Sequence, residues 1–344
     1  MFRYYSYLED WPSKDGYRFS HMTKNLGVSL ICPWVILTGD SGKTYQFMRG
    51  YGVNHPTEVL TFGGYVGNGE LDRQGDLLYT FKELPAVERF QVSETDTAIT
   101  YASQHHRLTL GQSGYAWVDA DGRIDLKVDP LGQPMTYWIP QQEGMPHPTL
   151  SRSHLGWVTG TIDNDPVTGL WTHDHMYSTP GLTFMESEFI RRVHNFWMNW
   201  LVEYEDGTIE GGTAWTGRPG TGFTAAHHYV DGQSHARSDA HITVEWTERG
   251  SVDTLNLTLG EDLAVEFDQH GSFDWPIHSY GTAKTISRDK PIKRSWNYSE
   301  HFPLNFGLIE DLQRDFAAAH GRYPSLQGLM EGARVESGNV VLSR

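Results

Sequence analysis

The chain has 344 residues, a formal net charge of −16, a hydrophobic fraction of 38% and a mean hydropathy of −0.50. This acidity argues against nucleic acid and anionic membrane surfaces, which reward clustered Lys and Arg, and no apolar run is long enough for a spanning helix, so membrane insertion is not expected. The single cysteine, Cys32, leaves no internal disulfide and suits a reducing compartment.

The start, MFRYYSYLEDWPSKDGYRF, is aromatic and charged with no apolar signal region, so a cytoplasmic location is expected. Short alternating runs then recur, broken by turn residues. Examples are WVILTGDSGKTYQFMRGYGV (34–53), YAWVDADGRIDLKVDP (115–130) and WLVEYEDGTIEGGTAW (200–215). Asp-Gly or Asp-Ser-Gly between two strand-like runs is a strong hairpin signal. HITVEWTERGSVDTLNLTLGEDLAVEF (241–267) extends the pattern into three strands, and only 307–324 has helical spacing, closed by Gly321 and Pro324. With 12 Trp, 17 Tyr, 15 Phe and 36 Gly the composition also favours sheet. The Pro- and Gln-rich stretch at 138–156 is the best boundary, which divides the chain into β domains at 1–145 and 146–305 and a helical tail at 306–344.

The 17 histidines suggest polar groups lining a pocket, and LWTHDHMYS (170–178) concentrates them. On a strand, His173, His175 and Tyr177 share one face and Asp174 and Met176 the other. Three readings stay open: a solvated face, a metal site, or a proton-transfer site. A metal would need further donors, and SHARSDAHITVEW offers Asp239 and His241, although Arg237 between them would repel a cation. For proton transfer, Asp174 beside the histidines is the acid–base candidate and Tyr177 a hydrogen-bond donor, because burial shifts a carboxyl toward its neutral form.

In RRVHNFWMNW (191–200), strand parity puts His194, Phe196, Met198 and Trp200 on one face and Asn195, Trp197 and Asn199 on the other. An aromatic face suits either a ligand cavity or a core. Asn is depleted in strands unless its amide finds partners, so these asparagines could mark the polar end of a pocket. Trp215 and His228 are further candidates for its wall. No Gly-x-Ser-x-Gly elbow and no strand-linked Gly-x-Gly-x-x-Gly occur, which excludes the corresponding hydrolase and dinucleotide readings. Cys32, before Pro33 in an apolar run, reads as a buried structural thiol.

The order of features from HLGWVTGTIDNDPVTGLWTHDHMYSTPG (154–181) through HNFWMNWLVEYEDGTIEGGTAW (194–215) and HHYVDGQ to RSWNYSEHF (294–302) resembles the lipocalin-like double-domain family, which includes carotenoid 1,2-hydratases, AttH-type proteins and fungal Diels–Alderases. The resemblance covers residues 25 to 305. It implies an all-β fold of two tandem antiparallel β-barrels or sandwiches, here followed by a C-terminal helix. It also implies an apolar pocket for a terpenoid, polyketide or aromatic substrate that is hydrated, isomerised or cyclised without a cofactor. The expected catalytic set is Asp174, His175, Tyr177 and His194, with Phe196, Trp197, Trp200, Trp215 and His228 binding a small hydrophobic substrate. The alternatives are a metal enzyme using His173 and His175 with Asp239 and His241, and a carrier that binds an apolar ligand without turnover.

Overall fold

A computed structural model describes residues 2–10, 12–55, 58–68, 90–104, 106–119, 122–182, 187–246, 252–273, 278–302, 334–336 and 339–341. The helix expected at 307–324 lies outside the described residues. Two large antiparallel sheets, each curled on itself, make up the body of the molecule. None of the described helices is long and apolar enough to cross a membrane.

The first sheet has the Leu26–Gly39, Asp165–Ser178 and Thr149–Ile162 strands at its centre. The Thr44–His55 and Glu58–Asn68 strands extend one side, and five strands from Ile124–Pro130 down to Gln91–Glu94 extend the other. The second sheet runs from Gln233–Arg237 through Ile209–Gly217, His194–Tyr204 and Ile292–His301 to Ala240–Trp246. Its curl brings the Ala240–Trp246 strand back to the Thr224–Val230 strand, where Thr224 Oγ1 donates to the Ala240 carbonyl at 3.0 Å.

The strands of the expected hairpins and of the 241–267 meander pair with one another, and Gly207 takes the positive φ of 82° that an Asp-Gly turn requires. The stretch at 138–156 does something different. Its Pro and Gln residues mark a turn between the Met135–Ile139 and Thr149–Ile162 strands, which pair with each other in the first sheet. Among the described residues, the chain passes from the first large sheet to the second between Ser178 and His194, not near residue 145.

Alternation along each strand feeds three separate cores. Ile31, Val35, Leu37 and Trp171 fill the first sheet's own interior. Met198, Trp200, Leu257 and Phe267 fill the second. The intervening residues of the same strands, including Cys32, Trp34, Leu170, Trp197 and Trp296, form a third core where the sheets meet. Trp34 stacks on Tyr298 across this seam at 4.5 Å, and Trp296 Nε1 donates to Thr38 Oγ1 at 3.0 Å. Each such aromatic pair adds about 0.5–1.5 kcal/mol beyond the area it buries.

Candidate functional site between the two sheets

The Asp165–Ser178 strand is covered on both faces, so the solvated-face reading of LWTHDHMYS fails: His173, Asp174 and His175 are all fully buried. Trp171, His173, His175 and Tyr177 point into the first sheet's interior. Leu170, Asp174 and Met176 point at the second sheet. Two distinct polar clusters result.

Inside the first sheet, His173 and His175 meet His154. The Asp163–Asn164 turn, with φ of 50° and 66°, sets a two-residue hairpin whose register places His154 opposite His173. Their rings stack at 4.2 Å, and His175 lies 5.1 and 5.4 Å from them. Tyr115 Oη is 3.0 Å from His154 Nδ1, and Tyr17 packs against His154 and His175. Burial first, and then mutual repulsion of the protonated forms and the Arg152 guanidinium, keep the imidazoles neutral: His154 and His175 titrate well below the ordinary range and His173 at about 3.

Ligand atoms of the three rings lie within 4.8 Å of one another, the spacing of a metal centre. As hydrogen-bonded here, however, the trio does not fit one. Trp171 Nε1 donates to His173 Nδ1 at 2.8 Å, so the neutral ring carries its own proton on Nε2 and has no lone pair left to offer. The donors expected from the sequence are not there either. Asp239 is exposed and tied to Arg237, and His241 is exposed on an edge strand of the second sheet. A strand pattern shows which residues share a face but not which distant strand packs there.

The second cluster lies at the seam. Ser153, the cross-strand neighbour of Asp174, donates from Oγ to Asp174 Oδ1, whereas Oδ2 has no hydrogen-bond partner among the described residues. Burial pushes the Asp174 carboxyl well up; the Ser153 bond opposes this and the nearby Glu300 charge adds to it. Glu300 has the opposite environment. His194 Nε2 and His278 Nε2 each lie 3.2 Å from one of its oxygens. Burial raises Glu300, but these two hydrogen bonds outweigh it and hold the carboxyl at about 2. The two acids share surroundings: both lie close enough to influence the buried Cys32 thiol and the Tyr137 phenol, which burial raises first of all. Trp34, Trp197, Trp215 and Tyr298 wall the cluster, with Trp34 5.0 Å from His278 and Trp215 5.2 Å from His194.

The expected site residues therefore divide. Asp174, His194, Trp197 and Trp215 meet at the seam. His194 gets there because the strand pairing slips between His194 and Phe196, a bulge that turns it to the Trp197 side. His175 and Tyr177 face the other way, so neither shares a site with Asp174; Tyr177 Oη accepts from Arg152 Nη1 at 3.1 Å. Phe196 and Trp200 belong to the second sheet's own core. His228 is bonded there to the buried Glu210 at 2.8 Å, whose other oxygen accepts from Tyr204 Oη at 2.6 Å.

Glu300, His278, Ser153, Tyr137 and His154 were not anticipated. For Glu300 a signal existed: in RSWNYSEHF, Trp296, Tyr298 and Glu300 alternate, which places an acid in line with an aromatic face.

No protein-family profile matches the chain. No curated protein sequence matches it. Among solved structures it is similar to NE1406 of Nitrosomonas europaea, described as an AttH, with 13% identity and a TM-score of 0.45 over 85% of this chain and 97% of that one. It is also similar to CghA in complex with Sch210972, with 10% identity and a TM-score of 0.40 over 79% of this chain and 88% of that one. Kievitone hydratase from Nectria haematococca gives 10% identity and a TM-score of 0.38 over the same shares, 79% and 88%.

Proposed function

We propose that the chain is a cofactor-free acid–base enzyme that hydrates, dehydrates, isomerises or cyclises an apolar, unsaturated substrate held between its two sheets. One observation carries this reading: two carboxyls at a single aromatic-walled location are driven in opposite directions, Asp174 toward the acid and Glu300 toward the carboxylate. Titratable pairs whose environments separate them in this way assign the donor and the acceptor.

In this mechanism Asp174 gives its proton from Oδ2, the oxygen with no partner, to one carbon of a double bond, and the π electrons form the new C–H bond. The carboxylate left on Asp174 keeps the Ser153 hydroxyl on Oδ1. The cation on the adjacent carbon lies against the faces of Trp34, Trp197 and Tyr298, whose quadrupoles attract it. Glu300 then takes a proton, either from a water whose oxygen attacks the cation or from the neighbouring carbon, which gives addition or isomerisation respectively. If a second double bond of the substrate attacks the cation instead, a ring closes and the charge moves to a new carbon, whose neighbouring C–H then gives its proton to Glu300 and leaves a double bond. His194 and His278 keep Glu300 ionised and oriented until that step. Proton exchange with solvent restores both acids.

The test is a screen of polyenes and prenylated phenols by mass spectrometry in heavy water. The expected result is deuterium incorporation or water addition by the wild type, lost in Asp174→Asn and in Glu300→Gln. Turnover by Asp174→Asn equal to the wild type would sink the mechanism and leave a carrier.

A further inference from the structure

We propose that the substrate carries an acceptor oxygen, a carbonyl above all, and that Asn199, Trp197 and Trp215 recognise it. This rests on the reading of the seam as the substrate site and goes beyond it by naming the substrate class.

The evidence is a surplus of donors. Trp197 Nε1, Trp215 Nε1 and Asn199 Nδ2 are buried N–H groups without a hydrogen-bond partner among the described residues. Their residues are 1%, 1% and 0% exposed. An indole can only donate. Asn199 could in principle do either, but Thr213 Oγ1 donates to its Oδ1 at 2.6 Å, which occupies the acceptor end and leaves the NH2 as the free one. Pairing of the His194–Tyr204 and Ile209–Gly217 strands sets Trp197 opposite Trp215 and Asn199 opposite Thr213, so the donors share one face. On the other flank Trp197 is opposite Glu300 and Asn199 is opposite Tyr298, so that face is the one the acid pair occupies.

A buried N–H left without an acceptor costs about 1–3 kcal/mol, and three together are not neutral packing. A pure hydrocarbon would leave all three unpaired. A carbonyl oxygen has two lone pairs and no proton, so it can accept from two of them at once. Asn199 and the two tryptophans are therefore specificity residues, distinct from the proton-transferring pair.

Farnesylacetone, an isoprenoid ketone, and farnesene, an isoprenoid hydrocarbon, make a suitable probe pair. Dissociation constants come from quenching of tryptophan fluorescence, and the carbonyl stretch of the bound ketone reports donation directly. The wild type should favour the ketone about tenfold, with its carbonyl band moved to lower frequency. Asn199→Ala and Trp215→Phe, which keeps a ring, should each reduce that preference, while farnesene affinity changes little in either. Equal affinity for the two probes in the wild type, or a preference undiminished in both variants, overturns the inference and leaves the apolar site standing. Failure of both probes to bind would remove the site itself, and the inference with it.

Discussion

The two faces of the Asp165–Ser178 strand belong to one peptide and to different chemistries. On one, His173 and His175 close against His154 in the interior of the first sheet, where burial keeps imidazoles neutral and Trp171 fixes one of them by hydrogen bond. On the other, Asp174 meets the second sheet and an opposing carboxylate. Both clusters are buried and polar. They differ in what surrounds them: the histidines are enclosed by a single sheet, whereas the acids lie where two sheets meet and aromatic walls come from both. Carboxyls shifted in opposite directions lie on the second face, so the proposed reading assigns the chemistry to the residue between the histidines and not to the His-x-His pair.

The largest expected effect separates the faces by rate. Asp174→Asn should lower turnover about 10²–10⁴-fold, while His175→Ala, one residue away on the opposite face, should leave the rate per folded molecule within a few-fold. Equal losses in steady-state kinetics would merge the two clusters into one. Next comes stability. His173→Ala leaves the Trp171 indole without its acceptor and opens a void, and should cost roughly 2–4 kcal/mol in urea unfolding. A loss below 1 kcal/mol would mean the trio is loosely held.

A third contrast is in pH. Histidines held neutral in the fold but free to protonate when unfolded make stability fall as pH drops from about 6.5, the ordinary imidazole value, toward about 3, the value for His173. For His173 the slope is about 1.4 kcal/mol per pH unit across that window, and His154 and His175 act in the same direction. Glu300, depressed in the fold, contributes stability above about 4.5 that is lost as pH falls through about 2. Asp174 runs the other way: its raised value gives a contribution fully present below the ordinary carboxyl range that fades as pH rises. Asp174→Asn should therefore be relatively more stable at alkaline than at acid pH, and urea titrations across pH would show it. The smallest effect concerns metal. With His173 committed to Trp171, dialysis against a chelator should leave the melting temperature unchanged; a loss of stoichiometric zinc together with a lower melting temperature would restore a metal centre.

Much of the architecture was legible in the chain. Alternation and Asp-Gly turns specified the hairpins, and parity correctly placed Asp174 opposite its flanking histidines. Parity is local, however. It could not show that the 138–156 turn joins strands of one sheet, because nothing nearby encodes which strands lie alongside. It misplaced His194, because a bulge changes side-chain phase without marking the sequence. It could not bring Glu300 to Asp174, since the two belong to different sheets and meet only across the seam. His154 was closest to recoverable: the Asp163–Asn164 turn fixes its register with His173.

The central claim is that Asp174 is a neutral acid at pH 7 while Glu300 is ionised. Infrared difference spectra of the wild type, Asp174→Asn and Glu300→Gln measure this directly. The account predicts a protonated-carboxyl stretch at neutral pH that disappears in Asp174→Asn and persists in Glu300→Gln. A wild-type spectrum with no such band, or a band that survives removal of Asp174, would contradict it.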